Sequence, residues 1–189
     1  MAKRRRMHEI VEPRPPPPEE VAAAQAAGAA LVAWDPARLE QFILGKITLG
    51  ELEDFPKKAQ YELAEIGYRF IQNGDAERAG KIFRGLTALD PYDAYFHTAL
   101  GVISSLREDF ASAAGHYSRA LEIYPRSPVA LANRGEARLR LGELAEAAED
   151  LVQAVQCDPE LKFASTRRAK ALAQVVRTQL EQAALPKSK

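Results

Sequence analysis

Pro91, Pro125 and Pro159 are evenly spaced, and four further rows of residues keep the same step. Gly67, Gly101 and Gly135 form one row, and Ala79, Ala113 and Ala147 a second. Phe83, Tyr117 and Leu151 form a third, and Leu86, Ala120 and Ala154 a fourth. A fixed period of this kind means a stack of similar units, because one such unit cannot bury its apolar face alone. Each row has a physical task. The glycine lies in the first helix of a unit, where a second helix crosses too closely for a side chain. The alanine serves the same approach from the second helix. The large residue four positions later fills the space between the helices, and the next row keeps a small or aliphatic contact. Proline ends the second helix and begins the turn into the next unit.

The interval from Pro91 to Pro125, and again from Pro125 to Pro159, equals the length of a tetratricopeptide unit, a pair of antiparallel helices of about 34 residues. The units divide as 60–93, 94–127 and 128–161, within a regular region of 57–161. Turn signals fall at Asn73-Gly74-Asp75, Arg107–Asp109 and Gly142, and Ser127-Pro128 is a cap followed by a first-turn proline. The predicted fold is all-α: three tandem tetratricopeptide helix pairs in a right-handed solenoid, with an N-terminal helical extension and a C-terminal capping helix. An open stack needs its last apolar face covered. A helix over 162–184 is predicted to do this with Leu161, Ala164, Leu172, Val175, Val176 and Leu180, while Lys162, Arg167, Arg168, Lys170 and Arg177 form a solvated face. Residues 185–189 read as a tail. At the other end, 1–18 holds a basic run and the Pro15–Pro18 tract and reads as a disordered tail. Residues 19–56 read as the helical extension. It comprises an alanine-rich helix over Glu19–Ala33, a helix from Pro36 to about Leu44 capped by Asp35 and ended by Gly45, and a short helix opened by the capping box Thr48–Glu51 and ended before Pro56.

Composition removes several function classes. Of 189 residues, 47% are hydrophobic, enough for a core, and 26 basic side chains balance 26 acidic ones. With no net charge there is no global field to draw nucleic acid or an anionic membrane, so neither is expected as a partner. No apolar run is long enough to span a bilayer. The basic Lys3–Arg6 and the apolar Val21–Trp34 are separated by Pro13 and Pro15–Pro18 with Glu19 and Glu20 after them, and the apolar run is mostly alanine, a weak hydrophobe, so no secretion signal is read. Cys157 is single, and His8, His97 and His116 share no metal-ligand spacing. No phosphate-binding, nucleophile-elbow or zinc-protease string occurs. No catalytic residue, metal or cofactor is expected, and the chain reads as a binding module, not an enzyme.

The geometry of the repeat family, not the spacing itself, places positions 2, 5, 9 and 12 of each unit on the concave side. These are Tyr61, Ala64, Tyr68 and Ile71; then Tyr95, Thr98, Val102 and Ser105; then Val129, Ala132, Glu136 and Leu139. Such a lining is apolar and aromatic, with only Asn133, Arg134 and Arg140 near it as polar donors. The expected ligand is a protein segment, extended or helical, with hydrophobic anchors. Two or three buried anchors correspond to roughly micromolar affinity, about 8 kcal/mol.

Over about residues 42–180 the chain resembles the class II chaperones of bacterial type III secretion, the SycD/LcrH-like translocator chaperones. The resemblance lies in Phe42–Leu49 (FILGKITL), Gly74–Phe83 (GDAERAGKIF), Leu89–Asp93 (LDPYD), Gly142–Ala147 (GELAEA) and Pro159–Thr166 (PELKFAST). It implies a chaperone of the bacterial cytoplasm that holds a hydrophobic translocator in the concave groove before export, with a homodimer as an option. It also implies groove sites at Ala64, Tyr68, Ile71, Tyr95, Thr98, Val102 and Glu136. The alternative is a general tetratricopeptide scaffold for protein–protein assembly.

Overall fold

The computed structural model describes residues 35–184. The tail expected over 1–18, the helix expected over Glu19–Ala33, the tail at 185–189 and the side chain of Leu180 lie outside the described residues. Among the described residues the secondary structure is helical throughout: α1 (Pro36–Ile43), α2 (Leu49–Leu52), α3 (Lys57–Gln72), α4 (Ala76–Leu89), α5 (Ala94–Leu106), α6 (Phe110–Ile123), α7 (Pro128–Leu141), α8 (Leu144–Cys157) and α9 (Ala164–Ala184).

Local chemistry sets these boundaries. Asp35, Asp75, Asp93, Asp109 and Ser127 each accept a hydrogen bond from a backbone N–H of the first turn they precede. Thr48 and Glu51 form the reciprocal capping box that opens α2. The turn inside each helix pair needs one residue in the left-handed region. That residue is Gly74 (φ 75°), Glu108 (φ 59°) and Gly142 (φ 83°), each one repeat after the last. Glu108 adopts this conformation with a Cβ, which costs about 1–2 kcal/mol relative to glycine.

Three helix pairs, α3–α4, α5–α6 and α7–α8, stack in order, and each second helix also packs on the first helix of the next pair. The first helices approach one another more closely than the second helices do, so the stack curves with α3, α5 and α7 inside. The four repeated rows form the seams. A Cβ on Gly67 would lie 2.7 Å from the Phe83 ring, one on Gly101 would collide with the Tyr117 ring, and one on Gly135 would lie 2.8 Å from Leu151. Phe83, Tyr117, Leu151, Ala79, Ala113, Ala147, Leu86, Ala120 and Ala154 are all buried. Glycine and large residue therefore form a fitted pair in every repeat.

Polar clamps tie the elements. Arg38 on α1 pairs with Asp54 at 2.8 Å and donates to the Glu51 carbonyl, fixing α1 beside α2. Lys57 at the start of α3 donates to Asp90 and lies 3.3 Å from Asp93, joining the first repeat to the turn that opens the second. In the third repeat the buried Asp150 accepts two hydrogen bonds from Arg134 (2.7 and 2.8 Å) and one from Arg138 (2.7 Å), and Arg134 reaches Ser118 on α6.

The C-terminal helix covers the end of the stack through a face other than the one expected. Ala164 and Val175 are exposed, whereas Ser165, Thr166, Ala169 and Val176 are buried, with Leu172 half-buried. The cause is Asp158, which accepts from the N–H groups of Lys162 and Phe163 and from the Thr166 hydroxyl at 2.5 Å. With Leu161 in the left-handed region (φ 53°), these bonds turn α9 so that its hydroxyl-bearing first turn faces inward. Burial by itself would raise the Asp158 carboxyl, but the three hydrogen bonds outweigh it and hold the group below the ordinary carboxylate range.

Candidate peptide-binding groove

Two adjoining cavities, meeting at Val102, line the inner side of the stack. The first, of about 550 Å³, lies between α3, α5 and the start of α7. Tyr68, Ile71, Tyr95, Thr98, Val102 and Val129 line it, as expected from their repeat positions, together with Ala94, Ala99, Tyr124, Ser127 and Phe163. None of these side chains is charged. The second cavity, of about 410 Å³, lies between α5, α6, α7 and α9. Ser105, Glu136 and Leu139 line it as expected, joined by Leu106, Phe110, Asn133, Arg140, Arg168 and Leu172.

Three of the twelve expected residues sit elsewhere. Ala64 and Ala132 are buried in the helix seams, Ala64 against Phe83 and Phe96 among others and Ala132 in the core of the third repeat. Tyr61 is half-exposed but outside both cavities. Its hydroxyl donates to Asp93 at 2.7 Å, and its ring lies 6.2 Å from Tyr95 and 5.7 Å from Phe96. It buttresses Tyr95, whose ring also lies 6.0 Å from both Phe83 and Phe96. Thr98 donates its hydroxyl back to the Ala94 carbonyl (2.8 Å), so that hydroxyl's proton is already satisfied within α5.

The electrostatics suit apolar contact, not proton transfer. Desolvation pushes the Tyr95 phenol up, and the Asp93 hydrogen bond together with desolvation does the same to Tyr61. Desolvation carries Tyr117, whose hydroxyl lies 3.3 Å from the Ser105 hydroxyl, up to about 12. All three stay neutral and protonated near pH 7. His97 is buried with Nε2 2.9 Å from the Pro91 carbonyl, a contact that holds a turn. Among the described residues no group of three His, Cys, Asp or Glu side chains is placed to hold a metal ion. No described helix is long and apolar enough to cross a membrane.

Sequence reasoning missed Tyr124, Phe163, Phe110 and Arg168 as lining residues. Phe163 carried a signal: it follows Val129 by one full repeat and so extends the row Tyr61, Tyr95, Val129 into the segment after the third repeat. The Asp158 turn fixes its backbone. Tyr124 lies at the end of a second helix, outside the four positions, and no pattern marked it.

Comparison with known proteins now adds to this geometry. The tetratricopeptide repeat family profile matches residues 65–128 and 107–161. Low calcium response locus protein H of Yersinia pseudotuberculosis is 30% identical over 132 residues, covering 68% of this chain and 79% of that protein. The chain belongs to the SycD/LcrH family of tetratricopeptide-repeat chaperones. Two solved structures share the fold. A chain of a type III secretion (T3SS) complex from Aeromonas hydrophila superimposes with a TM-score of 0.69 at 29% identity, covering 78% of this chain and 99% of that one. The type III secretion chaperone SycD of Yersinia enterocolitica, solved in complex with a peptide of the translocator YopD, gives a TM-score of 0.60 at 28% identity, covering 66% of this chain and 96% of that one.

Proposed function

We propose that this protein is an export chaperone that holds a hydrophobic translocator of a type III secretion system in the groove between α3, α5, α7 and α9, in the bacterial cytoplasm, before export. The observation that carries the reading is the uncharged aromatic cavity around Tyr68, Tyr95, Val102 and Phe163, open on the inner side of the stack. The solved complex of its relative SycD with a translocator peptide supports the choice of client. Membrane-inserting cargo exposes apolar surface that aggregates or inserts early, and covering an anchor segment keeps it soluble. In the first cavity binding is by burial: it offers neutral phenols, the Phe163 ring and aliphatic side chains, a surface for contact, and release needs no bond to break. Its strength is roughly micromolar per segment, set by a few buried anchors.

The test is co-purification from the native bacterium with mass spectrometry of what comes with the tagged chaperone. The expected result is a stoichiometric protein with membrane-spanning apolar segments that is insoluble when the chaperone is deleted. A soluble, independently folded partner would move the assignment to a general scaffold.

A further inference from the structure

The groove is chemically divided. Its first cavity carries no charge, whereas its second carries Arg140 and Arg168 against a single carboxylate, Glu136. The four arginines that α7 and α9 bring to this region divide into two kinds. Arg134 and Arg138 are consumed by the buried Asp150 and are part of the fold. Arg140 makes no ion pair or hydrogen bond among the described residues, yet its guanidinium is held 4.4 Å over the Phe110 ring. Arg168 donates only its Nε–H, to Glu136 at 2.9 Å, which leaves both terminal nitrogens without an acceptor among the described residues. Two guanidinium groups are thus positioned, by an aromatic face and by an ion pair, with donors to spare. A planar fork of N–H donors fits a carboxylate through two parallel hydrogen bonds.

We infer that the segment held in the groove carries an aspartate or glutamate beside its apolar anchors, and that Arg140 and Arg168 receive that carboxylate. The inference rests on the groove reading above and deepens it. The uncharged cavity sets affinity, and the basic end sets the register and direction of the segment, because a carboxylate fits one end only.

The test uses the full chain and fluorescein-labelled peptides of roughly nine residues, about 30 Å when extended, with leucine anchors on an alanine framework. A single Glu, Gln or Lys is moved through every position, and binding is read by fluorescence anisotropy. Glu is expected to bind about 3- to 10-fold more tightly than Gln at positions confined to one end of the peptide, with Lys weaker than both. The preference is expected to fade at high salt. It is expected to vanish in a chain carrying Arg140→Gln together with Arg168→Gln and Glu136→Gln, whose helical circular dichroism and melting temperature are measured beside the parent's to show that the variant is folded. Equal binding of Glu, Gln and Lys peptides at every position, or a preference that survives the triple variant, overturns the inference and leaves the groove reading standing. Failure of every peptide to bind overturns the groove reading and this inference with it.

Discussion

At the scale of single residues, the fitted pair of glycine and large side chain decides stability. Gly101→Ala places a methyl group in the Tyr117 ring, which is buried and has nowhere to move. It is expected to cost about 1–3 kcal/mol, the usual range for overpacking a core, read as a lower melting temperature. Gly115→Ala, in the exposed middle of α6 with open space around the new Cβ, is expected to stabilise by about 0.5–1 kcal/mol through helix propensity. The same substitution thus has opposite signs on neighbouring helices. If Gly101→Ala raised the melting temperature, the close approach of α5 and α6 would be wrong. These pairs were legible beforehand because glycine, alanine and the large residue recur in fixed register. The turn at Arg107–Asp109 was legible as well, but not that Glu108 takes its left-handed position: a glutamate does not mark that conformation, and only its place one repeat from Gly74 and from Gly142 points to it.

At the scale of elements, α9 shows where periodicity stops being sufficient. Its existence and extent were readable, but the face it buries was not, because apolar spacing favoured Ala164 and Val175 over Ser165 and Thr166. A hydroxyl that bonds a buried carboxylate is inexpensive to bury, and hydropathy does not register such a partner. The Asp158 latch makes a pH prediction. Its carboxyl sits below the ordinary range when folded, so its contribution is present in full above the unfolded value, about 4, and is lost as pH falls through the lower folded value. The melting temperature of Asp158→Asn is therefore expected to lie below that of the parent at pH 7, with the gap closing at acid pH as the parent protonates. A gap independent of pH would show that the latch acts through packing and not through its charge.

At the scale of the whole molecule, curvature makes the candidate groove. The first helices pack on one another along the inner side, and their outward-turned positions become a groove. Nine of twelve predicted lining residues reach it. Ala64 and Ala132 do not, because a side chain that small lets the neighbouring helix close over it, and Tyr61 is drawn away by Asp93. What the sequence withheld was the far wall: Tyr124 comes from a helix end and Arg168 from the capping helix, which the positional rule of the repeat does not reach, and Phe163 continues the row of Val129 only in the segment after the third repeat. The measurement that tests the central claim most directly is photocrosslinking in the complex with the translocator client. Benzoylphenylalanine is placed singly at Tyr68, Thr98 or Leu139 in the groove, and at the exposed Arg84, Arg119 or Gln153 on the second helices. Crosslinks to the client from the three groove positions and none from the three second-helix positions are predicted; crosslinks from the second helices with a silent groove would contradict the account.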